Sequence, residues 1–208
     1  MSISIAVIDY DMGNLHSVCK GLEISGARAV VTNNPTQILQ AQAVVLPGVG
    51  SFDPAMEKLN SLGLVQVIKE VVAGDKPLLG ICLGLQLLFE SSQEGKKPGL
   101  GLLAGEVRRF QSQPGLTIPH MGWNQLELTQ PEHPLWQKIE DPSYVYFVHS
   151  YYVAPSNLEV NAAMVTHGEQ RVCAAIAQDN LMAVQFHPEK SSKTGLKILS
   201  NFVELLSK

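Results

Sequence analysis

Short apolar runs alternate with helical stretches through the first ~90 residues, and this alternation restricts the fold more than any other feature of the chain. "ISIAVID" (Ile3 to Asp9), "ARAVVTN", "AQAVVLPG" and "KPLLGI" are short runs rich in Ile, Val, Leu and Ala, the pattern of strands buried on both faces. Between the first two, "NLHSVCKGLEISG" repeats its apolar residues at helical spacing, with Asn14 placed to cap it and Gly26 to end it. "NPTQILQ" predicts a short helix or turn. "DPAMEKLNSLGLVQVIKEVVAGD" predicts a helix interrupted at Gly63, and "LGLQLLFESS" a further helix. Parallel strands need crossover connections, and helices then cover both faces of the sheet. This half therefore predicts a doubly wound, mostly parallel α/β sheet, in which ligands bind at the carboxyl ends of the strands.

The second half reads differently. "GEVRRF", "NQLEL", "SYVYFVHSYYV", "NAAMVTH" and "VCAAIAQDNLMAVQFHPE" predict strands, with Asp179-Asn180 as a hairpin turn, so antiparallel strands are expected to extend the sheet. "KTGLKILSNFVELLS" predicts a closing amphipathic helix with Leu196, Leu199, Phe202, Val203 and Leu206 on one face. No internal repeat or linker is visible, so residues 1–208 are expected to form one domain.

A net charge of −4 carries no basic footprint for nucleic acid. Apolar runs break well short of the ~18 residues of a membrane span, and "MSISIAVIDY" lacks the basic region and cleavage site of a signal peptide. Three scattered cysteines argue for a reducing compartment, and a cytoplasmic location is expected. Cys19 shares helical spacing with Leu15, Val18 and Leu22, and Cys173 lies in a strand; both read as core.

Cys82 reads otherwise. It is the centre of "GICLG", between a strand and a helix. That is the pattern of a nucleophile elbow with Cys in place of Ser. Glycines at 80 and 84 remove side chains that would clash in so tight a turn. The thiol would sit by a helix N-terminus, and the Leu83 N–H would face an oxyanion. The same glycines would also serve a strand and helix packed closely around an inert cysteine. A thiol nucleophile needs a base, and the base an orienting group. "AVQFHPE" offers His187 at a strand end and Glu189 two residues on, on the same side if the chain stays extended. A turn histidine beside an exposed glutamate is the plainer alternative. "LPGVGSF" is a Gly-rich strand-to-helix turn without a Gly-Lys-Ser/Thr sequence. It fits a second oxyanion donor near Val49 or Gly50 better than a phosphate loop. The six histidines are dispersed, with no H-E-x-x-H or C-x-x-C, so neither metal nor cofactor is expected.

"PGVGSF", "GICLGLQLLFE" and "QFHPE", in that order, resemble the class I, triad-type glutamine amidotransferases over nearly the whole chain. "DYDMGNLHSV", "PHMGWN" and "YFVHSYY" narrow the resemblance to the glutaminase subunits of histidine biosynthesis. The resemblance implies glutamine hydrolysis through a thioester on Cys82, with His187 as acid and base, Glu189 orienting it, and the backbones of Val49 and Leu83 as the oxyanion hole. It implies that Gly50, Gln86, Glu94, Ser150 and Tyr151 hold glutamine, Glu94 and Ser150 at its α-amino and α-carboxyl groups. It also implies a (β/α)8-barrel cyclase partner that receives the ammonia, contacted by Asn14, Trp123 and Lys190. "HMGWN" reads as loop-like around Trp123. An oxyanion loop misoriented until the partner docks would leave the isolated subunit nearly inactive. A glutaminase of another pathway, such as pyridoxal phosphate synthesis, or a stand-alone γ-glutamyl cysteine hydrolase, are the rival readings. Asp11 stands where the resembled family usually has Gly.

Overall fold

The computed structural model describes residues 3–140 and 142–207. Its first half runs β1 (Ser4–Ile8), α1 (Leu15–Ile24), β2 (Arg28–Thr32), α2 (Pro35–Gln40), β3 (Ala43–Gly48), α3 (Phe52–Ser61), α4 (Leu64–Ala73), β4 (Leu78–Cys82) and α5 (Leu83–Leu87). The remainder runs β5 (Phe89–Ser92), β6 (Leu103–Arg109), β7 (His120–Leu128), β8 (Ser143–His149), β9 (Tyr151–Pro155), β10 (Asn161–His167), β11 (Gln170–Gln178), β12 (Leu181–Val184) and α6 (Ser192–Leu205). Nine strands form one sheet in the order β2-β1-β3-β4-β12-β11-β10-β7-β8. Pairing is parallel from β2 through to β12 and antiparallel from there to β8. A smaller sheet, β5-β6-β9, is separate in its pairing but shares a buried cluster with β11 of the larger one. The expected doubly wound α/β architecture with added antiparallel strands is the architecture observed.

Side-chain alternation divides the core into two layers. Ile5 and Val7 join one cluster with Val18 and Leu22 of α1 and Leu199 and Phe202 of α6. Their neighbours Ala6 and Ile8 join the other, with Ile38, Leu59 and Ile68 of α2 to α4. A period of two on a strand covered by helices on both faces requires this division. Within α6, Leu199, Phe202 and Val203 are buried together with Ile198, while Leu196 and Leu206 sit at the edge of the layer. Cys173 is buried in β11, and Cys19 packs partly buried against the first cluster.

Four local expectations differ. Asn14 occupies the N-cap of α1 but makes no side-chain cap hydrogen bond. The helix expected over "LGLQLLFESS" stops at Leu87, and Phe89–Ser92 is a strand. Leu85, Leu87, Leu88 and Phe89 are all fully buried, so this stretch has no solvent face to define a helix. The carbonyls of Leu87, Leu88 and Phe89 instead accept N–H groups from residues 100–103. "HMGWN" is not a loop but the start of β7, paired residue for residue with β8. "YFVHSYYV" is two strands broken at Ser150, and they belong to different sheets.

Asp11 takes a left-handed backbone (φ 64), with its N–H on Asp9 Oδ1. Glycine suits such a position, and Asp tolerates it through a local hydrogen bond. At Gly84 the constraint is space. A Cβ there would overlap the Leu46 carbonyl oxygen of β3, a backbone atom fixed in the sheet. Gly84→Ala should therefore destabilise the chain by about 2–3 kcal/mol through overpacking. Urea unfolding should show this as a lower midpoint with an unchanged slope.

Candidate active site

β4 ends at Cys82 with φ 55 and ψ −109, a conformation that costs a non-glycine residue of order 1–3 kcal/mol. The strand must turn at once into α5. Gly80 lets this happen beside β12, where a Cβ would stand 2.9 Å from Ala183 Cβ. The strained turn lifts Cys82 to the carboxyl edge of the parallel strands. α5 has five residues, too few for the cumulative dipole of a full helix. The local contribution is the Leu83 N–H, which as the first helical N–H has no intrahelical acceptor.

β12 delivers the candidate base. His187 follows it in an extended conformation (φ −97, ψ 98). Residues Pro188–Lys190 then form a 3-10 turn rather than the extended chain expected, and this turn brings Glu189 Oε1 to 2.8 Å from His187 Nδ1. The two side chains are 3% and 1% exposed. Burial is the largest influence on His187 and disfavours its charged form. Interactions with Cys82 and Glu189 together outweigh it, and the pKa is raised to about 9. Ser191 Oγ completes the turn by donating to the His187 carbonyl at 2.6 Å.

Cys82, Leu83 and His187 open onto a cavity of about 330 Å³, with Val49 and Gly50 on its rim. Gln86, Glu94, Ser150 and Tyr151 line it as well, together with His149. With Pro119, the structure thus gathers six separate segments of the chain around the thiol.

The class-I glutamine amidotransferase family model matches residues 6–205. This chain belongs to that family. It is 67% identical over 199 residues to a protein of Cyanothece sp. named imidazole glycerol phosphate synthase subunit HisH, covering 96% of this chain and 94% of the relative. A protein of the same name from Trichodesmium erythraeum is 66% identical over 200 residues, with the same coverage. Among solved structures, PurLQS from Thermotoga maritima superposes with a TM-score of 0.76 at 18% identity, each chain fully covered. A putative GMP synthase protein from Thermoplasma acidophilum superposes at 0.72 and 19% identity, covering 100% of this chain and 95% of that one. At such identities these two speak for the fold.

Against the family's requirements, one expected donor is committed elsewhere. The Val49 N–H donates to the Met12 carbonyl at 3.0 Å, so it does not face the cavity as an oxyanion donor in this structure. Glu94 Oε2 accepts the Phe52 N–H at 2.9 Å and so holds the first turn of α3. Gln86 donates to the Tyr151 carbonyl at 3.0 Å, leaving its carbonyl oxygen as the group it can offer a substrate. Asn14, Trp123 and Lys190 do not line the cavity, but each lies on a segment that adjoins it. The loop before Asn14 bonds Val49, the Lys190 N–H donates to the His187 carbonyl, and Trp123 stands edge-on to Tyr146, whose carbonyl accepts the His187 N–H. Among the described residues, no group of three or more His, Cys, Asp or Glu is arranged to hold a metal. Nor, among them, is any helix long and apolar enough to cross a membrane.

Sequence reasoning missed His149 and Gln185. Strand parity could have found Gln185, which lies two residues before His187 and so shares its side of the strand.

The raised pKa of His187 has a sign for stability. The unfolded value is about 6.5 and the folded value about 9. The contribution is full below the first and is lost as pH rises through the second. Thermal melts of the wild type should fall across that window. Glu189→Gln removes one partner of the imidazolium and should flatten the fall.

Proposed function

We propose that this chain is the glutaminase subunit of imidazole glycerol phosphate synthase. In this reading it hydrolyses glutamine to glutamate and ammonia for a (β/α)8-barrel cyclase. The product complex makes imidazole glycerol phosphate and aminoimidazole carboxamide ribonucleotide in histidine biosynthesis. The observation that carries the reading is the convergence of Cys82, held in its strained turn, with an imidazole fixed by Glu189 at one cavity. The names of the relatives at 67% and 66% identity support the partner and pathway.

In this mechanism the Cys82 sulfur, as thiolate, attacks the side-chain amide carbon of glutamine. The developing oxyanion takes the Leu83 N–H and a second donor from the Val49–Gly50 segment. His187, as imidazolium, gives its proton to the departing amine, which leaves as ammonia while the carbon stays on sulfur as a thioester. Neutral His187 then takes a proton from water as it attacks the thioester, and glutamate leaves. Glu189 keeps the ring oriented and stabilises its charged form. Gly50, Gln86, Glu94, Ser150 and Tyr151 hold the glutamine.

Asn14, Trp123 and Lys190 belong to the face that meets the barrel. Apolar side chains are unusually open near it: Met121 is 62% exposed, Trp123 53% and Tyr144 50%. Ammonia released in water is protonated near neutral pH and is then no nucleophile, so a sealed face over the cavity serves its transfer. Three free cysteines fit a reducing cytoplasm.

With the Val49 N–H held by Met12, glutamate release by the isolated chain should be slow. The barrel and its nucleotide ligand should raise it by about 100-fold or more, the loss typical when one oxyanion donor is removed. Vigorous release by the chain alone, unchanged by the barrel, would overturn the partner. Cys82→Ala should abolish glutamine use by the complex while ammonia-driven synthesis continues. Trp123→Ala should weaken barrel binding by about 2 kcal/mol, roughly thirtyfold in Kd, read by titration calorimetry.

A further inference from the structure

Beside the cavity, polar side chains are hydrogen-bonded in two runs that meet at the Tyr151 carbonyl, which accepts from both. Asn124 sets the first. Its Oδ1 accepts the Gln125 N–H at 2.8 Å, and its Nδ2 donates to the Thr166 carbonyl at 2.8 Å, so the amide can face only one way. The second Nδ2 hydrogen goes to His120 Nε2 at 3.1 Å, which must therefore be an acceptor. A neutral ring then carries its proton on Nδ1, which stands 3.2 Å from His149 Nε2. The same logic puts the His149 proton on Nδ1, 2.8 Å from the Tyr151 carbonyl. Both rings stay neutral because burial, foremost, lowers His120 to about 4 and His149 to about 3.

The Tyr151 carbonyl fixes what comes next. Gln86 must turn its amine to it, at 3.0 Å, and the second amine hydrogen meets Gln185 Oε1 at 3.1 Å. Gln185 is fully buried, and its own amine is left 3.7 Å from Cys82 Sγ. Turning Gln86 over would oppose oxygen to two oxygens. Turning Gln185 over would oppose two amines and bring a carbonyl oxygen to the sulfur.

We infer that Gln185 is a further catalytic residue: its amide N–H holds the Cys82 sulfur as an acceptor and so favours the thiolate form, and Gln86, its amine turned to the Tyr151 carbonyl and to Gln185 Oε1, fixes that end of the amide toward the sulfur. A second N–H at sulfur complements His187, two residues further along the same segment. The titratable groups that share the cavity with Cys82 are His187, His149, Glu94 and Tyr151, and Tyr10, buried by the end of β3, donates to the Pro47 carbonyl. Gln185 itself does not titrate, and its contribution is the direction of a dipole. The inference rests on Cys82 being the nucleophile.

Gln185→Met keeps the side-chain volume and removes the amide. Iodoacetamide labelling of the full chain at pH 7, with the Cys82 peptide quantified by mass spectrometry, should slow by about tenfold. That is the low end for a hydrogen bond to a charged group, as the 3.7 Å separation warrants. In the complex with the barrel, kcat for glutamine should fall by a similar factor with KM within about twofold. A purely structural role would leave the labelling rate of a folded variant alone. Labelling and kcat equal to wild type, in a variant that melts normally, would overturn the inference. If Gln185→Met does not fold, Gln86→Met decides. It frees the Gln185 amide to turn, so labelling should slow as well, and an unchanged rate would overturn the inference. Cys82→Ala in the same complex separates this from the underlying reading, which falls if that variant still consumes glutamine.

Discussion

Cys82 keeps its left-handed backbone only because β3 and β12 grip β4 from both sides. The turn into α5 passes so close to β3 that nothing larger than glycine fits against the Leu46 carbonyl. Parallel pairing of Leu46 and Ala183 with Gly80 fixes both neighbours in register. The strain is thus held by the sheet, not by the turn itself. It follows that all three strands end together. β3 ends at the loop carrying Val49 and Gly50, β4 at the thiol, and β12 at His187. The site is the common edge of these three strands.

Around this edge the chain buries polar groups that would be costly if left unpaired. Most are paired in a way that fixes orientation as well as distance. His187 is oriented by Glu189 Oε1, whose companion Oε2 has no hydrogen-bond partner among the described residues. Two neutral imidazoles from the β7 side and two carboxamides from the sulfur side meet at the Tyr151 carbonyl. His187 is held by a carboxylate, and Gln185 by fixed amide dipoles. Both are preorganised, as the proposed mechanism requires of groups that face moving charge.

The Val49–Gly50 segment is the exception to this rigidity. Its N–H bonds the loop between β1 and α1 through Met12, and Gly50 has φ 95, where few other residues settle. That loop also carries the left-handed Asp11 and leads to Asn14. The loop and the Val49–Gly50 segment are thus joined by a backbone hydrogen bond.

Much of this was legible in the sequence. Apolar runs with no polar face fixed β1, β3 and β4 as buried strands, because only a doubly covered sheet satisfies them. The Gly80 and Gly84 spacing around Cys82, and Glu189 two residues after His187, marked the chemistry because strained turns and oriented bases leave few residue choices. Uniformly apolar "LGLQLLFESS" did not reveal that it changes from helix to strand, since a segment buried on every side has no period to read. Nor did Gly122 reveal that "HMGWN" is a strand, because that depended on β8 lying alongside. The sequence by itself determined the sheet and singled out Cys82 and His187 as candidate nucleophile and base, because these rest on local periodicity and local sterics. Tertiary structure alone decided which end of the Gln185 amide meets sulfur, and that the Val49 N–H turns to Met12. Those hydrogen bonds join segments such as Gln86 and Tyr151, 65 residues apart, and no local pattern encodes their direction.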